Sequence, residues 1–259
     1  MKKFALRLRT FPVRKPASLK SSPCSGLRRA AQVSGATLVL LALIALPAPS
    51  NAQEKAAATT SAPPVVTFTL DFPQSTPTHY SIAVAVDGHA RYESTGKIDP
   101  DSEEETYQSE FQVSARNRER IFDWAKQAQY FSGKVDSGNG KLAFTGAKVL
   151  SYQDGQISNT AHYNYPKLEA VRQLTALFQG MGQTLEYGRR LAYYHRYQKL
   201  ALDDELKRME AQAKTNALDE IQGVAPILRE IVGDTSVMNV VRVRAQEMIQ
   251  MGSESAAGR

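Results

Sequence analysis

The stretch Tyr80–Tyr92, YSIAVAVDGHARY, decides the fold class. Tyr80, Ile82, Val84 and Val86 alternate with small or polar residues, the period of a strand with one buried face. Asp87-Gly88 interrupts the run, and Ala90 and Tyr92 resume it. An Asp-Gly pair between two such runs predicts a tight hairpin with a type I′ turn, because that turn needs positive φ at both central residues. The pattern recurs downstream: Val149–Gln153 enter Asp154-Gly155 and Ile157–Tyr165 leave it, with β-branched and aromatic residues on both flanks. Each hairpin is expected to anchor half of an antiparallel sheet.

Working outward, Val66, Phe68, Leu70 and Phe72 alternate with Thr67, Thr69 and Asp71, so the folded region begins with a strand at Val65. Between the hairpins, Tyr107–Val113 reads as a strand with Tyr107, Ser109, Phe111 and Val113 on one face. Ser114 is a suitable N-cap for a helix whose Ile121, Phe122, Trp124, Ala125 and Ala128 form an apolar stripe. Gly133, Gly138 and Gly140 mark a loop, after which Leu142 and Phe144 resume strand character. The order hairpin, strand, helix, strand, hairpin, helix implies an α+β fold with helices on one face of an antiparallel sheet.

Beyond Tyr165 the signals are helical. Pro166 fits the first position of a helix carrying Leu168, Val171, Leu174, Leu177, Phe178, Met181 and Leu185, which Gly180, Gly182 and Gly188 are expected to bend or interrupt. A polar helix follows over Leu191–Lys214, another is marked by Leu218, Ile221, Ala225, Leu228 and Ile231, and a last one covers Val237–Gln250. The expected organisation is an α+β domain over 65–185, a helical extension over 186–250 and a disordered tail over 251–259. Pro226-Ile227-Leu228, Asp234 in the turn, then Val241-Arg242 and Ala245 resemble one HEAT-type helix pair, over Ala217–Gln250 only and with a longer spacing after Asp234 than the family has. The resemblance implies a packing or protein-binding surface and no catalysis, and one pair does not make a solenoid.

Composition divides the chain. The first 52 residues hold nine of the 32 Lys+Arg, none of the 26 Asp+Glu and the single cysteine, Cys24. A basic segment, the apolar run Thr37–Leu46 closed by Pro47 and Pro49, and Ser50-Asn51-Ala52 follow the order of a secretory signal cleaved after Ala52. The apolar run has about ten residues where a spanning helix needs roughly 20. Cys24 precedes it, which argues against lipid attachment, and Arg28-Arg29 alone does not make a twin-arginine signal. The expected mature chain, located in the periplasm or outside the cell, has 23 basic against 26 acidic residues, a net charge of −3, and no cysteine. That disfavours nucleic acid as partner and removes disulfides and thiol chemistry. Residues 53–64, QEKAAATTSAPP, read as a flexible linker.

No arrangement of residues fixes a reaction. His79, His89, His162 and His195 lack zinc-site spacing, and no G-x-S-x-G or P-loop pattern occurs. Ser94-Thr95-Gly96-Lys97 satisfies S-x-x-K without its companion motifs. The acidic run Asp99–Glu105 lacks the glycine and distal glutamate of a calcium loop. No cofactor or metal is expected. The distinctive stretch is Tyr187–Lys199, YGRRLAYYHRYQK, where Tyr187, Tyr193, Tyr194 and Tyr197 interleave with Arg189, Arg190, Arg196 and Lys199. At helical spacing Arg189, Tyr193, Arg196 and Tyr197 share a face, a mixture suited to an envelope protein or a small anionic ligand. The expectation is a non-catalytic binding module. The alternatives are a hydrolase assembled from His162, Asp136 and Ser137, or a small-ligand carrier using the cup between sheet and helix.

Overall fold

The computed structural model describes residues 63–99 and 102–257. The signal segment over 1–52 and the linker to residue 62 lie outside the described residues. The elements in order are β1 (Val65–Asp71), β2 (His79–Ala85), β3 (His89–Gly96), β4 (Glu105–Gln112), α1 (Ala115–Gln127), β5 (Ala147–Gln153), β6 (Ser158–Tyr163), α2 (Glu169–Tyr197), α3 (Ala201–Lys214), α4 (Ala225–Gly233) and α5 (Asn239–Ala257), with short 3-10 turns at Gln129–Phe131 and Ile221–Val224. The strands form one antiparallel sheet of order β4-β3-β2-β1-β5-β6, so the fold is α+β. β1 is the joint between the two hairpins: Phe68 pairs with Ile82 of β2 on one side and Leu150 of β5 on the other.

The two-residue alternation puts Val66, Phe68, Ile82, Val84, Tyr92, Leu150 and Tyr163 on the helix-covered face, where all are buried. The opposite face carries Arg91, Glu93, Thr67, Thr69, Ser151 and His162, exposed or half-buried. Phe68 stacks on Phe178 of α2 with ring centroids 5.4 Å apart. Ser114 caps α1 as expected, its Oγ accepting from the Asn117 amide at 3.4 Å.

Several expectations are corrected. The Asp-Gly turns are not type I′, because Gly88 and Gly155 have positive φ while Asp87 and Asp154 do not. Gly88 N–H donates to the Ala85 carbonyl at 2.8 Å, giving a three-residue loop closed by a glycine bulge, a solution with the same twist and a single left-handed residue. Leu142 and Phe144 lie in a loop and are exposed, with Phe144 edge-on to Phe72. α2 starts at Glu169; Pro166 instead bridges to Asp136. Gly180, Gly182 and Gly188 do not interrupt this 29-residue helix. The polar helix expected over Leu191–Lys214 is broken at Gln198–Leu200 into the end of α2 and α3. The described residues belong to one compact unit, and α2 runs straight through the boundary expected at 185/186. In place of a disordered tail from 251, α5 continues to Ala257, and Gly252 sits against Ile221 and Gln222.

Candidate functional site

α2 passes under the β1–β2 connection, and the space between them is a cavity of about 390 Å³. Ser75, Thr76 and Pro77 form one wall, Leu70 and Tyr80 the floor, and Gln212 of α3 closes the far side. The connection is held firmly: Phe72 N–H donates to the Thr78 carbonyl at 2.8 Å, Ser75 Oγ to the Pro77 carbonyl at 2.6 Å, and Thr78 N–H to the Thr95 carbonyl at 2.9 Å. The remaining wall comes from α2 through Gln179, Gly182, Gln183, Glu186, Tyr187 and Arg190, which follow helical spacing along one stripe. Gly182 lets the helix approach, since a β-carbon there would lie 2.9 Å from Tyr80 Cε2.

Glu186 is the chemical centre of that wall and is buried at 4% exposure. Its Oε1 accepts from Tyr92 Oη at 2.7 Å and Ser94 Oγ at 2.6 Å, both from β3. One turn on, Arg189 Nη1 stands 3.7 Å from Glu186 Oε2, while Nη2 donates to the Gly96 carbonyl at 2.8 Å and the Glu105 carbonyl at 3.3 Å. Arg189 therefore neutralises Glu186 and ties together the ends of β3 and β4; its Nη1 is buried without a hydrogen bond among the described residues. Burial, and then the Glu186 charge, raises the Tyr92 phenol well above its usual value, and burial does the same for Tyr80. Both phenols are donors over the whole physiological range.

Arg190 lies over the Tyr187 ring at 4.7 Å and its Nε donates to Glu205 Oε1 at 2.6 Å. Arg208 also donates to Glu205. Two guanidinium groups share one buried carboxylate, so the Arg190–Glu205–Arg208 group as a whole carries a net positive charge beside the cavity.

The expected Arg-Tyr cluster is thus divided. Tyr187, Arg189 and Arg190 belong to the cavity or its buried support, and Arg189 does not share an exposed face with Tyr193, Arg196 and Tyr197. Tyr193 touches the Tyr194 and Tyr197 rings at 5.7 and 5.1 Å, and Arg196 lies over Tyr197. These four residues form a half-buried to exposed patch at the end of α2. His195 Nε2 lies 2.9 Å from Asp234 Oδ2, and Lys199 Nζ donates to the same oxygen at 2.6 Å and to Ser236 Oγ at 2.5 Å. The residue types are those of a hydrolase, but the order of contacts is not. Asp234 accepts directly from Ser236 Oγ at 2.7 Å as well as contacting His195, so the serine hydroxyl is turned to the carboxylate and not to the imidazole, which is not the order of a triad. The group is a clamp between α2 and the α4–α5 turn.

The other candidate constellation does not assemble either. Asp136 Oδ2 accepts from the Asn164 backbone N–H and Oδ1 from the Gly138 backbone N–H, at 2.7 and 2.6 Å. Ser137 belongs to the same turn, and His162 lies on the exposed face of β6. Ser94 of the S-x-x-K stretch is a buried donor to Glu186. Among the described residues no group of three His, Cys, Asp or Glu side chains is arranged to hold a metal ion, and no helix is long and apolar enough to cross a membrane. Glu186 was missed because a helical glutamate reads as solvated; the available signal was its phase, four and eight residues after Gly182 and Phe178 on the buried stripe. No protein-family model, curated protein or solved structure matches the chain.

Proposed function

We propose that the protein is exported by its N-terminal segment, is not an enzyme, and binds a small anionic ligand in the cavity between the β1–β2 connection and α2. The observation that carries this reading is the α2 wall, where Glu186 is paired with Arg189 and hydrogen-bonded by Tyr92 and Ser94, while Arg190 shares the single Glu205 carboxylate with Arg208. The Arg190 guanidinium takes the anionic group, and Tyr80, Tyr187 and the amides of Gln179 and Gln183 take the body of the ligand. Native mass spectrometry of protein released gently from the envelope fraction tests it. The expected spectrum shows a chain beginning at Gln53 with a small-molecule adduct that is lost on Arg190→Ala; a bare chain in both cases refutes the binding claim, and a chain retaining residues 1–52 refutes the export claim.

A second reading is favoured by the end of α2, where Tyr197 is 61% and Leu200 81% exposed beside Tyr193 and Arg196. It is a contact surface for an envelope protein, and the HEAT-like α4–α5 pair is then its packed support. Retention of a partner in a pull-down is expected to fall on Tyr193→Ala with Tyr197→Ala; unchanged retention removes the patch from the claim.

A further inference from the structure

Gln179 and Gln183 also line a second cavity, of about 380 Å³, together with Arg120 and Trp124 of α1 and the segment Asn216–Asp219 that leaves α3. Its most informative group is the Asp219 carboxyl. The backbone carrying it is fixed from α2, because Thr184 Oγ1 donates to the Asp219 carbonyl at 2.7 Å. The next residue, Glu220, is fixed from α1, accepting from Ser114 N–H, Ser114 Oγ and Asn117 Nδ2 at 2.8, 2.7 and 2.6 Å. The carboxyl itself rests on bare helix backbone, since a β-carbon at Gly180 would fall on Asp219 Oδ2. Among the described residues no hydrogen bond reaches it. The fold thus holds a partly buried carboxyl at the cavity wall, where its oxygens are left to solvent or to a ligand.

The surroundings say what ligand that is. The half-buried Trp124 ring lines the same cavity, with Arg120 Cζ 5.6 Å from its centroid. A cationic ligand would meet the Arg120 charge, and an anionic one would face Asp219. The amides of Gln173, Gln183 and Asn216 each present donors and an acceptor. A neutral molecule with closely spaced hydroxyls and one apolar face satisfies all of these together: the hydroxyls match the carboxyl and amides, and the C–H face matches the indole. We propose that this cavity is a second binding site, for a neutral saccharide held by Asp219 and the flanking amides against Trp124.

Trp124 is the single tryptophan of the chain, so its emission reports on this cavity alone. The whole protein is titrated with maltotriose, cellotriose and tri-N-acetylchitotriose, and with 1,4-diaminobutane as the cationic contrast. A saturable change in emission below about 10 mM is expected with at least one saccharide and not with the diamine. Asp219→Ala, and Gly180→Ala by displacing the carboxyl, are expected to weaken it about tenfold. If the alanine variant loses its circular dichroism, Asp219→Asn keeps the shape and is expected to weaken binding about threefold. The proposal is overturned if no saccharide changes the emission, if only the diamine does, or if the Asp219 variants that fold bind with unchanged affinity.

Discussion

Replacing Asp219 by asparagine separates the charge of that side chain from its shape. Burial first, and the neighbouring Glu220 charge second, raise the Asp219 carboxyl from 3.8 to about 6, with Arg120 offsetting part of the effect. Because the folded value lies above the unfolded one, the protonated acid favours the fold; that contribution is complete below pH 3.8 and is lost as pH rises through about 6. A gap of roughly two pH units at 1.36 kcal/mol each caps the loss at about 3 kcal/mol, and partial access to solvent reduces it to about 1–2 kcal/mol. Asparagine carries no such loss. Urea unfolding followed by Trp124 emission should therefore find Asp219→Asn more stable than wild type by about 1–2 kcal/mol at about pH 7.5, and equal within about 0.5 kcal/mol at about pH 4. The other carboxylates titrate in both proteins and cancel in the difference. An equal gap at both pH values, or a less stable variant at the higher one, would refute the reasoning.

Arg189→Met leaves Glu186 buried without its countercharge and should cost about 3–5 kcal/mol in urea unfolding, with Arg189→Met plus Glu186→Gln costing less than the single change. Gly182→Ala drives a methyl into the Tyr80 ring, and a loss of about 1–3 kcal/mol is expected together with reduced adduct in native mass spectra. Asp234→Asn releases His195 and Lys199. Since the Asp234 carboxyl is depressed in the fold, its contribution is present above 3.8 and lost as pH falls below it, so thermal scans should show the advantage of wild type at about pH 6 shrinking by about pH 2.5. Tyr197→Ser, at an exposed position, should change stability by less than about 0.5 kcal/mol by the same urea measurement.

The sheet was legible because its period of two survives on every strand that packs against helices: Val66, Phe68 and Leu70, or Tyr80, Ile82 and Val84, need no context to be read. Turn type was not, because Asp87 Oδ1 accepts from the His89 amide and stabilises a loop in which Gly88 alone takes positive φ. Leu142 and Phe144 mimic the alternation but have no partner strand. The glycines of α2 look like breaks and are points of close approach to Tyr80, Asp219 and Val224, information held in the tertiary fold. The break after Tyr197 carries neither glycine nor proline and gives no local warning. For the cavity, Tyr187 and Arg190 were visible as an unusual mixture. Glu186, Tyr80 and Asp219 were not, because their roles arise from contacts across roughly 100 residues of sequence or from burial that neighbouring residues do not announce.

The central place of β1 bears on how the chain reaches its fold. Val65 pairs with Ala85 on one side and with Gln153 on the other. As the chain emerges from its N-terminal end, the first strand finds its β2 partner within about twenty residues and waits roughly four times as long for β5. Throughout that interval β1 presents an open, regularly spaced row of amides and carbonyls beside Phe68 and Leu70, the sort of edge that joins another chain. The stretch from Pro73 to Gly146 is therefore a timer. Lengthening it is expected to slow completion of the sheet.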